Sequence, residues 1–287
     1  MVLGKVAGVR VRVNIWFLLL GAVYVYLGLG LEIIVIFASV LVHEISHTII
    51  AAILGIKVAE IELLPFGGQA RIEDFTGLDP DKEIYTALAG PIISLSMAAI
   101  FYFVPALQSV KTPLIVQINL LLGMFNLLPA LPLDGGRILR AYLARMVGYK
   151  KATARSALLG KVIALMIAAY GSYLFYEHQS GANFLAIAVI LFWAARREGK
   201  LLSYAFMRYL VHKKGELSSK GFLVSRQIVS HEDALIKSIL DTTRPSYYMI
   251  VLILDDAHHP LGLCSEAELI DCLFEKGPYA RLKDCQV

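Results

Sequence analysis

Residues 33–56 read IIVIFASVLVHEISHTIIAAILGI, a stretch long and apolar enough to cross a bilayer, interrupted by His43-Glu44-Ile45-Ser46-His47-Thr48. On a helix, His43 and His47 share one face, separated by about 6 Å of rise. Two imidazoles so placed can clamp a zinc ion, with the Glu44 carboxylate beside them as general base. At hydrocarbon depth a carboxylate and two imidazoles are costly, which favours a functional reading over a structural trio. The competing class is an ion-coupled transporter using the same groups as a proton relay. Such transporters commonly carry paired internal repeats, and no clear repeat is visible here.

The rest of the chain fits a membrane setting. It has 287 residues, of which 57% are hydrophobic and 17% charged, against roughly 25% charged in soluble domains. The net charge of +4 is too small to argue for nucleic-acid binding. Apolar runs at Val13–Leu31, Ile33–Ile56, Ile84–Leu107, Thr112–Leu133, Ser156–Tyr176 and Gln179–Ala195 predict about six transmembrane helices. The first is long for a signal peptide and lacks a convincing cleavage site, so it reads as a retained span. Lysine and arginine concentrate before it, between Asp134 and Arg155, and after Ala195. With six spans these stretches share one side, which the positive-inside rule makes cytoplasmic, together with both termini.

A catalytic zinc site usually has three protein ligands and one open position. Asp134, in NLLPALPLDGG (residues 126–136), is the leading third donor. Its competing role is to cap the amphipathic helix predicted for Arg137–Val147. Span parity favours the ligand, because the second and fourth spans run the same way and both His47 and Asp134 lie in their cytoplasmic halves. Pro129 and Pro132 should break the fourth helix, and Gly135-Gly136 should let the backbone turn.

At these residues the chain resembles the site-2 protease family of intramembrane zinc metalloproteases, over roughly Val13–Val147. The resemblance implies His43, His47 and Asp134 as zinc ligands, Glu44 as catalytic base and Asn126 as a substrate or oxyanion contact. Leu64-Pro65-Phe66-Gly67-Gly68, Leu131-Pro132-Leu133-Asp134-Gly135-Gly136 and the six spans resemble the stage IV sporulation protease FB subgroup. That subgroup implies a membrane-tethered pro-sigma factor as substrate and inhibitory membrane proteins as partners. Ala89-Gly90-Pro91 also matches a family motif, whereas Ser94 stands where many members have asparagine.

Two further segments complete the reading. Ala59–Leu64 and Gln69–Glu73, joined through Pro65-Phe66-Gly67-Gly68, predict a short β hairpin at the membrane surface, whose edge could receive an extended substrate. Glu60 and Glu62 read as solvated strand faces. The expected division is a protease domain over 1–200, a linker over 201–214 and a soluble α/β module over 215–287. In the module, Asp233–Arg244 has helical spacing, Tyr247–Leu254 reads as a buried strand, and Ser265 and Glu268 have capping-box spacing. The module resembles a single cystathionine-β-synthase (CBS) unit. That resemblance implies a homo-oligomer pairing units across chains, and ATP or another adenine nucleotide contacting Ser265 and Glu268 as regulator. Cys264, Cys272 and Cys285, an odd set without metal spacing, read as reduced thiols of a cytosolic domain.

Overall fold

Asp79 and Pro80 open the helix on which the site leans: the Asp79 side chain accepts from the Asp81 N–H, and Pro80 occupies the first turn, where a missing N–H costs nothing. The computed structural model covers residues 1–287 and describes all but 1, 7–8, 14–18, 20, 23–24, 57, 65–66, 73–78, 110, 179, 216–220 and 286–287. The helices that build the apolar part are α1 (Gly30–Ile53), α2 (Pro80–Phe103), α3 (Thr112–Asn126), α4 (Asp134–Val147), α5 (Tyr149–His178) and α6 (Ala182–Lys214).

Among the described residues, three helical stretches are long and apolar enough to cross a membrane: Gly30–Ile53, Pro80–Phe103 and Tyr149–Glu177. Large apolar side chains such as Ile53, Phe103 and Trp193 face outward, as an apolar solvent requires and water would penalise. The chain is accordingly an integral membrane protein. Of the expected first span, residues 14–18, 20 and 23–24 lie outside the described residues, and Val13 itself ends a strand. The expected fourth span is shorter than read: α3 stops at Asn126, before the two prolines. The sixth extends further, since α6 runs on through Arg196 and Arg197 to Lys214.

The predicted hairpin is present as β3 (Val58–Leu64) and β4 (Gly67–Ile72), antiparallel. It belongs to a larger sheet, because β1 (Val2–Val6) and β2 (Val9–Val13) extend it in the order β1-β2-β3-β4. The Val-Arg-Val-Arg-Val alternation of residues 9–13 carried that signal. β2 runs parallel to β3 with Arg10 opposite Glu60 and Arg12 opposite Glu62 in the register. β3 is therefore an inner strand, and β4 is the last strand of the sheet among the described residues.

The C-terminal module holds β5 (Ser225–His231), α7 (Ile236–Leu240), β6 (Tyr248–Leu254), β7 (Pro260–Ser265) and α8 (Glu266–Lys276). β5 pairs parallel with β6, and β6 antiparallel with β7. Two expectations are corrected here. Residues 201–214 are the last turns of α6, not a separate linker: Phe206, Tyr209 and Leu210, at helical spacing, join the module's core with Ile236, Leu240, Val251 and Leu269. Nor are all three cysteines reduced. The 3-10 turn Leu282–Asp284 brings Cys285 back over α8, where it pairs with Cys272 in a disulfide, and Cys264 stays free and buried.

Candidate metal centre

Helical periodicity alone puts the two imidazoles of α1 side by side, with ring centroids 4.8 Å apart and planes nearly perpendicular. What the helix cannot supply is a third donor, and α4 brings it. The Oδ2 atom of Asp134 lies 3.2 Å from His43 Nε2 and 3.1 Å from His47 Nε2, with all three residues buried. Three such donors lie within 4.8 Å of one another. Donors about 2.0–2.1 Å from one tetrahedral ion sit roughly 3.3 Å apart, so these spacings suit a single small cation.

Asp134 reaches this position because the chain between α3 and α4 folds beneath the first turn of α4. Leu133 is the residue that precedes the helix and Asp134 is its first residue, so Asp134 does not act as its cap. Gly135 and Gly136 are helical and serve close approach rather than a turn. A Cβ on Gly135 would lie 2.2 Å from the Leu127 carbonyl oxygen, and one on Gly136 2.3 Å from the backbone of Ala130.

The other imidazole nitrogens are held by α2. His47 Nδ1 donates to the Thr86 carbonyl at 2.7 Å, and His43 Nδ1 bonds Ser94 Oγ at 2.9 Å. Gly90 lies between them on the same face of α2, so close that a Cβ there would be 2.3 Å from His47 Nε2 and 2.5 Å from His43 Nε2. A buried hydrogen bond from Asn119 Nδ2 to Ser39 Oγ, 3.0 Å long, ties α3 to α1 one turn before His43.

These bonds test whether a cation fits. A carbonyl only accepts, so the Thr86 contact fixes the proton of neutral His47 on Nδ1 and leaves a lone pair on Nε2. That lone pair faces a carboxylate oxygen, another acceptor, at 3.1 Å. Such a confrontation in a buried site is relieved by positive charge between the two atoms, a proton on Nε2 or a metal cation, and the three-donor cluster accommodates the metal. Imidazole nitrogens and a carboxylate oxygen suit zinc among the divalent metals.

The remaining predicted site residues fall in two places. Glu44 is half-buried on α1, adjacent in sequence to His43, while Asn126 ends α3 and its Nδ2 donates to the Leu122 carbonyl at 3.0 Å. Ser265 and Glu268 are in the C-terminal module, where they close a capping box on α8: Ser265 Oγ accepts from Glu268 N and Glu268 Oε2 accepts from Ser265 N. Both side chains are thereby committed to the helix terminus, and nothing here supports a nucleotide at them. The orienting groups Thr86, Gly90 and Ser94 carried little signal in the sequence. Thr86 acts through its main chain, Gly90 through the absence of a side chain, and Ser94 departs from the asparagine common at that position.

The chain matches the model of peptidase family M50 over residues 31–115 and 112–169. It is 32% identical over 213 residues to a zinc metalloprotease of Methanocaldococcus jannaschii, covering 69% of this chain and 60% of that protein. The solved site-2 protease from the same organism superposes with a TM-score of 0.56 at 30% identity, over 69% of this chain and 94% of that one. This chain belongs to the site-2 protease family. Stage IV sporulation protein FB of Bacillus subtilis is a more distant site-2 relative, 26% identical over 178 residues, 61% of this chain and 60% of that protein. The chain thus spans 60% of the length of each of these two curated relatives.

Proposed function

We propose that this protein is a zinc-dependent intramembrane endopeptidase that cleaves a membrane-tethered protein and so releases a soluble regulator. The observation that carries this reading is the convergence of His43 Nε2 and His47 Nε2 on one buried oxygen of Asp134. When bound, zinc would supply Lewis acidity toward the scissile carbonyl and lower the pKa of a water molecule toward neutrality.

The residues of the chain do the rest. His43, His47 and Asp134 hold the metal, and Ser94 and the Thr86 carbonyl keep both imidazoles aimed at it. Glu44 takes the proton from the attacking water and returns it to the leaving amine. Asn126 keeps a second Nδ2 hydrogen beyond the one given to Leu122, and this can donate to the developing oxyanion. A substrate helix must unwind before attack, and β4, the outermost strand among the described residues, can take the extended strand by backbone pairing.

The relationship to stage IV sporulation protein FB supports a pro-sigma factor as the substrate and inhibitory membrane proteins as partners, and the 26% identity makes this the finer part of the reading. The basic stretches around Arg137–Arg155 and Arg196–Lys200 support a cytoplasmic active site with both termini on that side. The β-α-β-β-α order of the module supports a CBS-like unit that pairs across chains. The test is co-expression with a membrane-tethered sigma precursor, comparing wild type with Glu44→Gln. Zinc content should be unchanged and cleavage abolished. Cleavage by Glu44→Gln at the wild-type rate would overturn the mechanism.

A further inference from the structure

Among the described residues, two ion pairs outside the donor set have both partners buried, Lys213–Glu266 in the C-terminal module and Arg140–Glu83 between the helices of the metal centre. Arg140, at the middle of α4 and six residues past Asp134, donates through Nε to Glu83 Oε1 at 3.0 Å and through Nη2 to the same oxygen. Both side chains are buried, Arg140 at 7% exposure and Glu83 at 3%. Glu83 is on α2, one turn before Thr86, so Glu83, Thr86, Gly90 and Ser94 follow one another along a single face of that helix. The pair therefore joins the helix that presents Asp134 to the helix that orients both histidines.

The outer side of this pair is also anchored. The Arg140 guanidinium lies 5.6 Å from the centre of the Tyr149 ring, which stacks on Tyr209 of α6 at 5.1 Å and 8°. Tyr149 belongs to the core of the C-terminal module. Gly148, at the corner between α4 and α5, has φ +84°, and a Cβ there would meet the Thr243 carbonyl oxygen at 2.6 Å. Next to it, Lys150 pairs with Asp241 of the module. The far end of α4 is thus seated against the module, and its middle is pinned to α2.

We propose that Arg140 and Glu83 are positioning residues for the metal centre: the buried pair sets the height of α4 against α2 and thereby holds the Asp134 carboxylate opposite the two imidazoles. This inference rests on the metal-site reading above and goes beyond it. Asp134 is the one donor that α1 does not carry, so its distance from the histidines depends on how α4 docks. A buried ion pair adds little net stability compared with a neutral replacement of similar shape, yet leaving one partner alone is costly. Its value here is geometric, because two N–H groups converging on one oxygen allow little sliding between the helices.

The informative variant is Glu83→Gln with Arg140→Gln together, since either substitution alone strands a buried charge and threatens folding. The full-length protein in detergent would be loaded with cobalt(II) in place of zinc and its visible spectrum recorded. Metal retention would be followed against a chelator, and amide exchange measured for peptides covering residues 134–140. With the melting temperature near that of wild type, the double variant should show an altered cobalt band, metal affinity lower by roughly 10–100-fold and faster exchange at 134–140. A wild-type spectrum, retention and exchange in a folded double variant would overturn the inference. If wild type itself takes up no cobalt, the metal-site reading fails, and the exchange comparison still decides whether the pair positions α4.

Discussion

Replacing Gly90 by alanine tests the architecture of the centre at its tightest point. The new Cβ would begin 2.3 Å from His47 Nε2 and 2.5 Å from His43 Nε2, and relief to an uncrowded 3.4 Å requires about 1.1 Å of movement by α2 or the rings. Metal–ligand distances tolerate only about 0.2 Å of departure from their ideal values, so the displacement exceeds that tolerance about five-fold. Neither ring is free to swing, because Ser94 and the Thr86 carbonyl hold the Nδ1 atoms. Zinc affinity should fall by at least about 100-fold, roughly 3 kcal/mol. The substitution should not weaken the helix itself, since alanine favours a helix interior over glycine by about 1 kcal/mol. Loss of metal with melting unchanged or raised would therefore locate the damage at the rings. Zinc per chain, measured on purified protein after chelator dialysis, is the assay. Gly199→Ala in α6, where nothing lies within 4 Å of the added Cβ, is the control. One zinc per Gly90→Ala chain with wild-type retention would refute the close approach of α2 to the donors.

Asp134→Ala removes the donor supplied by α4, and zinc occupancy should fall below stoichiometric; occupancy equal to wild type would take Asp134 out of the site. Ser94→Ala leaves His43 Nδ1 without its partner at 2.9 Å and should weaken zinc binding by about 10–100-fold in chelator competition. An unchanged constant would mean that Ser94 does not orient the ring. In the C-terminal module, burial and then the neighbouring Glu268 carboxylate push the Cys264 thiol up to about 11. Since the thiolate is the reactive form, iodoacetamide at pH 8 should leave Cys264 unlabelled in the native protein and modify it once unfolded; labelling before unfolding would contradict its burial.

What could be read from the chain alone follows the range of the interactions involved. The pairing of His43 with His47 is local, four residues on one helix, and needs no knowledge of the rest of the fold. The capping box of Ser265 and Glu268, the β3–β4 hairpin and the strand at Tyr248–Leu254 are local in the same sense. Where local patterns had rivals, the reading slipped. In Val-Arg-Val-Arg-Val the strand alternation coincides with a basic flank of an apolar run, and in 201–214 the helical spacing of Phe206, Tyr209 and Leu210 lies among charged residues past that run.

The tertiary structure decided the rest, because its contacts join residues far apart in sequence through groups that have no signature in it. His43 meets Asp134 across 91 positions and Ser94 across 51, and Arg140 meets Glu83 across 57. The Thr86 contact uses a carbonyl that every residue possesses, and Gly90 contributes only room. A helix written in sequence can present two donors on one face. Only the docking of α2 and α4 against it determines that their lone pairs, a carboxylate oxygen and the groups that aim them meet in one dry place.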